Sequence, residues 1–361
     1  MSSAPLRVGI VGANPERGWA KDAHVPALRV LPRFKIEGTS ARTLETAQAA
    51  AQAFGATRAF ADTMELVRSP DIDVVAVTVK VPEHLAIVLA ALEAGKHLYC
   101  EWPLGKDVAE AETMAKAAKA AKGRVLIGVQ GTGAPAIRQA AEIVKSGKLG
   151  QLMTARIVSP TAGWAPQAPP FYEYLNHRKY GATMSAIQGG HTLATVEMVL
   201  GHYVQLQAQN TINCPKVRII GTDEVIERDC PDHVSIIGKH ASGCVSTVEV
   251  AGGRNPTTPY MFEIIGDDGD LRVTGLCAGG YQTGVLRLET SLDVPPPPSP
   301  VDASLKGPPA NVAELYTQLA ATIDTGVQHG FDFDYAAHLT RVLASVDRAS
   351  DTGARQQLEG A

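Results

Sequence analysis

A chain of 361 residues with 45% hydrophobic content can bury a substantial core and has room for more than one domain. Its 33 basic and 37 acidic residues leave a net charge of -4, too even for an electrostatic footprint on nucleic acid or an anionic membrane, and no apolar run reaches the length of a membrane span. The opening MSSAPLRVGIVGA enters a strand pattern directly, so no secretory leader is expected. The five scattered cysteines, Cys100, Cys214, Cys230, Cys244 and Cys277, contain no CxxC pair and suit reduced thiols in a cytoplasmic setting.

From Leu6 to Val129, short β-branched runs (LRVGIV, FKIEGT, VVAVTV, HLYC, VLIGV) alternate with Ala-rich amphipathic stretches near residues 18–31, 43–54, 82–95 and 107–122. That rhythm predicts βαβ units on a doubly wound parallel sheet, a Rossmann domain over residues 1–130. After about residue 150 strands follow one another without crossover helices: QLMTARIVS, YVQLQAQNTI, HVSIIGK, GCVSTVEVAG, YMFEIIGDDGDLRVTG and VLRLET. Consecutive strands of this kind predict a large, open, mostly antiparallel sheet in an α+β domain over residues 131–361. Helices are expected from Thr183 to Leu200 and near 310–326 and 334–350. The Pro-rich stretch 294–309 reads as an extended surface connection.

The first strand runs into Gly9-Ile10-Val11-Gly12-Ala13-Asn14-Pro15-Glu16-Arg17-Gly18-Trp19-Ala20, where a helix should begin. Glycines there let backbone amides approach a pyrophosphate, and a helix N-terminus favours its charge, so Gly12, Asn14, Arg17, Gly18 and Trp19 are expected to bind a dinucleotide. The second strand ends at Thr39-Ser40-Ala41-Arg42-Thr43, with no acidic residue to meet an adenosine ribose. Ser40, Arg42 and Thr43 offer the donors that a 2′-phosphate needs, which predicts NADP in preference to NAD.

The run VPEHLAIVLAALEAGKHLYCEWPL, residues 81–104, together with His24-Val25-Pro26-Ala27, resembles the glucose-fructose oxidoreductase, inositol dehydrogenase and MocA family. Within that family, GANPERGWA, the GVQG around Gln130 and the pair Glu101-Trp102 resemble the branch containing the fungal galactose-regulon repressor. The resemblance implies that Glu101, Trp102 and Gln130 serve the nicotinamide nucleotide and that the second domain's sheet mediates homo-oligomer contacts. Most catalytic members carry lysine where this chain has Trp102. The family's Asp-x-Gly-x-His corresponds to Ile187-Gln188-Gly189-Gly190-His191, in which the histidine survives and the aspartate does not.

Upstream of it, residues 171–180 crowd aromatic and ionisable side chains into one loop. Trp102, Trp164, Tyr174 and His177 are candidate substrate contacts, and His191, Tyr180 and Lys179 candidate proton carriers. No HxxxH or Cys/His cluster appears, so no metal is expected. Two functions follow as expectations. One is an NADP-dependent oxidoreductase acting on a small carbonyl, imine or sugar-type cyclic alcohol. The other is a non-catalytic NADP-binding sensor like the repressor. Neither calls for direct nucleic-acid or membrane contact.

Overall fold

The computed structural model describes residues 4–358. In chain order the strands are β1 Leu6–Val11, β2 Phe34–Ser40, β3 Arg58–Phe60, β4 Val74–Val77, β5 His97–Glu101, β6 Val125–Gly128, β7 Leu152–Pro160, β8 Gln167–Ala168, β9 Tyr203–Thr211, β10 Lys216–Ile219, β11 Val225–Glu227, β12 His233–His240, β13 Val245–Ala251, β14 Pro259–Gly266, β15 Asp270–Leu276, β16 Arg287–Thr290 and β17 Gln356–Gln357. The helices are α1 Val25–Arg29, α2 Leu44–Phe54, α3 Thr63–Arg68, α4 His84–Glu93, α5 Val108–Ala120, α6 Pro135–Lys145, α7 Gly190–Leu200, α8 Pro308–Thr325 and α9 Phe333–Thr352. Wide π-helical turns, Ala20–His24 and Ser185–Gly189, lead into α1 and α7.

Two compact units result, one of Met1–Gln130 with Pro300–Ala337, the other of Gly131–Ser299 with His338–Ala361. The first is a six-stranded, wholly parallel sheet in the order β3-β2-β1-β4-β5-β6, the doubly wound arrangement that its alternating pattern predicts. Strand β3 and helix α3 escape sequence reading, because three and six residues are too short to display a period.

The segment 300–337, expected in the second domain, instead packs with the first. A parallel sheet must be covered on both faces. One face presents Val8, Ile10, Val74, Ala76, Tyr99 and Leu126 to a cluster that includes Val312, Leu315, Tyr316 and Leu319 of α8 and Val25 and Leu28 of α1. Burying each large side chain of α8 contributes about 1.5–3 kcal/mol, so the segment is drawn to this sheet whatever its place in the sequence. The Phe331 carbonyl accepts from Ile127 N at 2.9 Å, and Lys119 pairs with Asp334 at 3.0 Å.

The second unit holds an eight-stranded sheet in the order β16-β15-β14-β7-β13-β12-β9-β17. All neighbours are antiparallel except β7 and β13. A separate three-stranded sheet is formed by β11, β10 and β8, strands of two to four residues that are too short to display a period. In α7 every residue but Met198 is buried. Among the described residues no helix is long and apolar enough to cross a membrane, and all five cysteines are free thiols.

Candidate functional site

In the first unit, β1, β2, β4 and β5 deliver Val11, Ser40, Val77 and Glu101 to the carboxyl edge of the sheet. The strand order reverses between β1 and β4, which is where open parallel sheets take ligands. Gly12 adopts φ +86°, and a Cβ there would lie 2.8 Å from Val79 Cγ1, so close packing as well as the turn demands glycine. The amides of Gly12 and Ala13 both donate to the Ser40 carbonyl, at 3.1 and 2.9 Å. Asn14 Oδ1 accepts from the amides of Glu16 and Arg17 at 2.9 and 3.1 Å. Four of the amides that glycine spacing alone would offer to a phosphate are therefore already committed, two to β2 and two within the turn. Those of Asn14, Gly18 and Trp19 have no hydrogen-bond partner among the described residues.

At the end of β2 the three expected donors part company. Ser40 is buried, with its hydroxyl 3.2 Å from that of Thr63. Thr43 is the N-cap of α2 and accepts from Thr46 N at 3.2 Å. Arg42 is exposed and its guanidinium is uncommitted.

Glu101 closes β5 and is held by a chain of buried groups. Its Oε1 lies 2.9 Å from His24 Nε2, and His24 Nδ1 lies 2.8 Å from the Tyr316 hydroxyl. With Glu101 as carboxylate, Nε2 carries the imidazole proton and donates it. The rings of Tyr99 and Tyr316 pack at centroid distances of 4.9 and 5.7 Å from the His24 ring. A Cβ on Gly128 would come within 2.7 Å of Glu101 Oε1, so glycine on β6 makes room for the carboxylate. Trp102 follows, 5% exposed, on a cis bond to Pro103. Trp19 Nε1 and Gln130 Oε1 are buried polar atoms with no partner among the described residues, as expected of groups that await a polar ligand. The partnerless amides, the open Arg42 and these two side chains suit a dinucleotide. His24 carried the family resemblance, but nothing in the sequence signalled Tyr316.

In the second unit a buried ion pair shapes the aromatic loop. Arg228 Nη1 meets Asp232 Oδ2 at 2.7 Å, while Nε and Nη2 reach Asn176 Oδ1 at 2.9 Å and the Ala165 carbonyl at 2.8 Å. Trp164, at φ 55°, donates from Nε1 to the Leu175 carbonyl at 3.1 Å. Trp164 and the segment 170–180 are thereby fastened together. Tyr180 gathers the other candidates: Tyr174 and His177 lie at ring distances of 6.2 and 6.3 Å, and Lys179 Nζ sits 4.9 Å over its ring. Burial pushes the Tyr174 hydroxyl up to about 12.

His191 stands apart from that cluster, on α7. The residue is 3% exposed and its Nδ1 has no partner among the described residues. Ile187 leaves the Asp position apolar, whereas Gln188 joins a buried network, donating to Ser159 Oγ at 3.0 Å and accepting from Gln282 at 3.1 Å. Histidines scattered in sequence also converge, because Glu197, His202 and His338 bring their donor atoms within 4.8 Å of one another. Burial alone would raise the Glu197 carboxyl, but hydrogen bonds from His202 and His338 outweigh it and hold it at about 2.

Residues 6–129 match a family described as an oxidoreductase family with an NAD-binding Rossmann fold, and residues 135–275 match the C-terminal domain of Gal80p. The chain belongs to this oxidoreductase family, that of glucose-fructose oxidoreductase, inositol dehydrogenase and MocA. Dehydrogenase aclE of Aspergillus oryzae is 30% identical over 285 residues, which cover 76% of this chain and 78% of the relative. The galactose/lactose metabolism regulatory protein GAL80 of Kluyveromyces lactis is 30% identical over 76% of this chain and 65% of its own. A crystal structure of a super-repressor mutant of Gal80p from Saccharomyces cerevisiae shares the fold, with a TM-score of 0.86 at 23% identity over 98% of each chain.

Burial pushes the His191 imidazole from 6.5 down to about 3, so the ring is neutral at ordinary pH. As pH falls through that window the unfolded chain takes up a proton that the folded chain refuses. Stability is therefore lost on acidification, by about 1.4 kcal/mol per pH unit where the difference is one full proton. His191→Phe should flatten the slope of unfolding free energy, measured in urea between about pH 6 and pH 4, by that amount. An unchanged slope would show that the ring takes its proton in place.

Proposed function

We propose that this chain is an NADP-dependent oxidoreductase that moves hydride between the nicotinamide and a small carbonyl, imine or sugar-type cyclic alcohol. The observation that carries this reading is the carboxyl edge of the first unit, where partnerless amides and an uncommitted Arg42 accompany a Glu101 carboxylate fixed by His24. Gly12 shapes the turn, while Asn14, Gly18 and Trp19, with Arg17, would hold the diphosphate. Arg42 would meet the 2′-phosphate, and Glu101, Trp102 and Gln130 would serve the nicotinamide nucleotide. When bound, the nicotinamide supplies or accepts the hydride.

The Trp102 indole N–H is too weak an acid to pass its proton to a substrate oxygen, and the neutral His191 ring is not a ready acid. Proton transfer then falls to the hydroxyl of Tyr180, whose ring lies under the Lys179 ammonium, with Trp164, Tyr174 and His177 contacting the substrate. The free cysteines support a cytoplasmic setting. A second reading, a sensor that binds the nucleotide without turnover, is favoured by Trp102 and Ile187 in place of the family's lysine and aspartate and by the likeness to a regulatory protein.

Arg42→Ala should weaken NADP binding by about 10- to 100-fold, the worth of a charge-assisted hydrogen bond, and leave NAD binding unchanged. Titration calorimetry with both nucleotides reads this, and equal losses for the two would reject the 2′-phosphate role. Tyr180→Phe should lower kcat/KM by about 10²–10⁴-fold with nucleotide affinity intact. A loss under tenfold assigns the proton elsewhere. If the wild type binds NADPH tightly yet never oxidises it across a panel of ketones, imines and sugars, the sensor reading stands.

We also propose a homo-oligomer joined through the eight-stranded sheet. Its free face mixes exposed Ile237, Val245 and Ile265 with Arg156, Glu249 and Glu263, a surface able to complement a second copy of itself. Light scattering should report at least twice the chain mass, and a monomeric mass would remove the proposal.

A further inference from the structure

The last turn of α7 ends on Gly201, whose φ of +86° turns the chain back over the helix it has just left. His202 therefore returns beside Glu197, and the Tyr203 amide donates to Glu197 Oε1 at 3.3 Å. The His202 carbonyl accepts from Ala241 N at 2.9 Å, which ties that turn to the end of β12. From α9, 141 residues away in sequence, His338 Nε2 lies 3.1 and 3.0 Å from the two Glu197 oxygens. His202 Nδ1 lies 3.3 Å from Oε2. The Glu197 side chain is wholly buried, that of His338 is 7% exposed, and that of His202 is 38% exposed.

A buried carboxylate requires a positive charge beside it. One source is a proton on an imidazole, and the other is a metal ion. Two imidazole nitrogens and one carboxylate oxygen form the donor set of many zinc sites, a set suited to borderline divalent metals and not to calcium or magnesium. Bonds of about 2.0–2.1 Å in a tetrahedron set neighbouring donors about 3.3 Å apart. The carboxylate-to-imidazole separations of 3.0–3.3 Å observed here are close to that edge. The exposed flank of His202 leaves a side where water could complete the coordination.

We propose that Glu197, His202 and His338 bind one divalent transition-metal ion, of which Zn²⁺ is the reference, as a clasp between the end of α7 and α9. Both imidazoles must be neutral to bind it, with His202 carrying its proton on Nε2 and His338 on Nδ1. The Tyr203 amide, already on Oε1, acts as the outer support that orients the carboxylate. The site lies outside the residues assigned to the nucleotide and substrate, so its test is independent of turnover.

The experiment is calorimetric titration of tag-free, chelator-treated full-length protein with Zn²⁺, paired with Co²⁺ absorption in the visible region. The expected result is one ion per chain, a four-coordinate Co²⁺ spectrum displaced by Zn²⁺, and a thermal midpoint that rises with Zn²⁺. His202→Ala, at the partly exposed ligand, should fold normally. It should weaken binding by more than the roughly 10- to 100-fold that loss of an outer partner costs, and its midpoint should ignore the metal. His177→Ala, at a histidine outside the cluster, should bind as the wild type does. No stoichiometric binding by the wild type, or equal binding by His202→Ala, would overturn the site and leave the three residues as an ion-paired clasp.

Discussion

The hydrogen-bonded chain from Tyr316 through His24 to Glu101 joins three parts of the sequence that have no local reason to meet. It forms only if α8 lies against the parallel sheet, and α8 lies there because that face would otherwise expose Val8, Ile10, Val74 and Tyr99 to water. Burial of an apolar face thus fixes the position of a carboxylate. Glu101 takes its orientation from a ring that is itself wedged between two tyrosines, so the carboxyl edge of the sheet is set before any ligand arrives.

The turn after β1 follows the same economy. Ser40 draws the Gly12 and Ala13 amides to the neighbouring strand, and Asn14 takes those of Glu16 and Arg17. The amides of Asn14, Gly18 and Trp19 stay without a partner among the described residues. The chain is similar to both a dehydrogenase and a regulatory protein. The carboxyl edge of the first unit holds donors without partners among the described residues, while Trp102 and Ile187 stand where the family resemblance implies lysine and aspartate.

Much of the first unit is legible from alternation alone, because a strand buried on both faces must be apolar throughout and a covering helix must repeat at its own period. Five of its six strands announce themselves this way, and β3 is too short to do so. The residues of the site are less legible. Ser40 and Thr43 look like phosphate donors in sequence, but one hydroxyl is turned to Thr63 and the other caps a helix. His191 looks like an acid and lies buried with one nitrogen unpartnered. Arg228, which fastens the aromatic loop, carries no motif at all.

What the sequence determined unaided is whatever depends on neighbours along the chain: the βαβ rhythm, the change to consecutive strands near residue 150, the glycines that turn the backbone and the family motif around Glu101 and Trp102. What only the tertiary structure decided is whatever depends on residues distant in the chain: the return of 300–337 to the first unit, the Tyr316–His24–Glu101 chain, and the meeting of Glu197 with His202 and His338. The physical reason is one of range. Backbone periodicity and turn geometry act over a few residues, whereas the burial of apolar faces and the pairing of buried charge act across space, on whichever side chains the fold brings within a few ångströms.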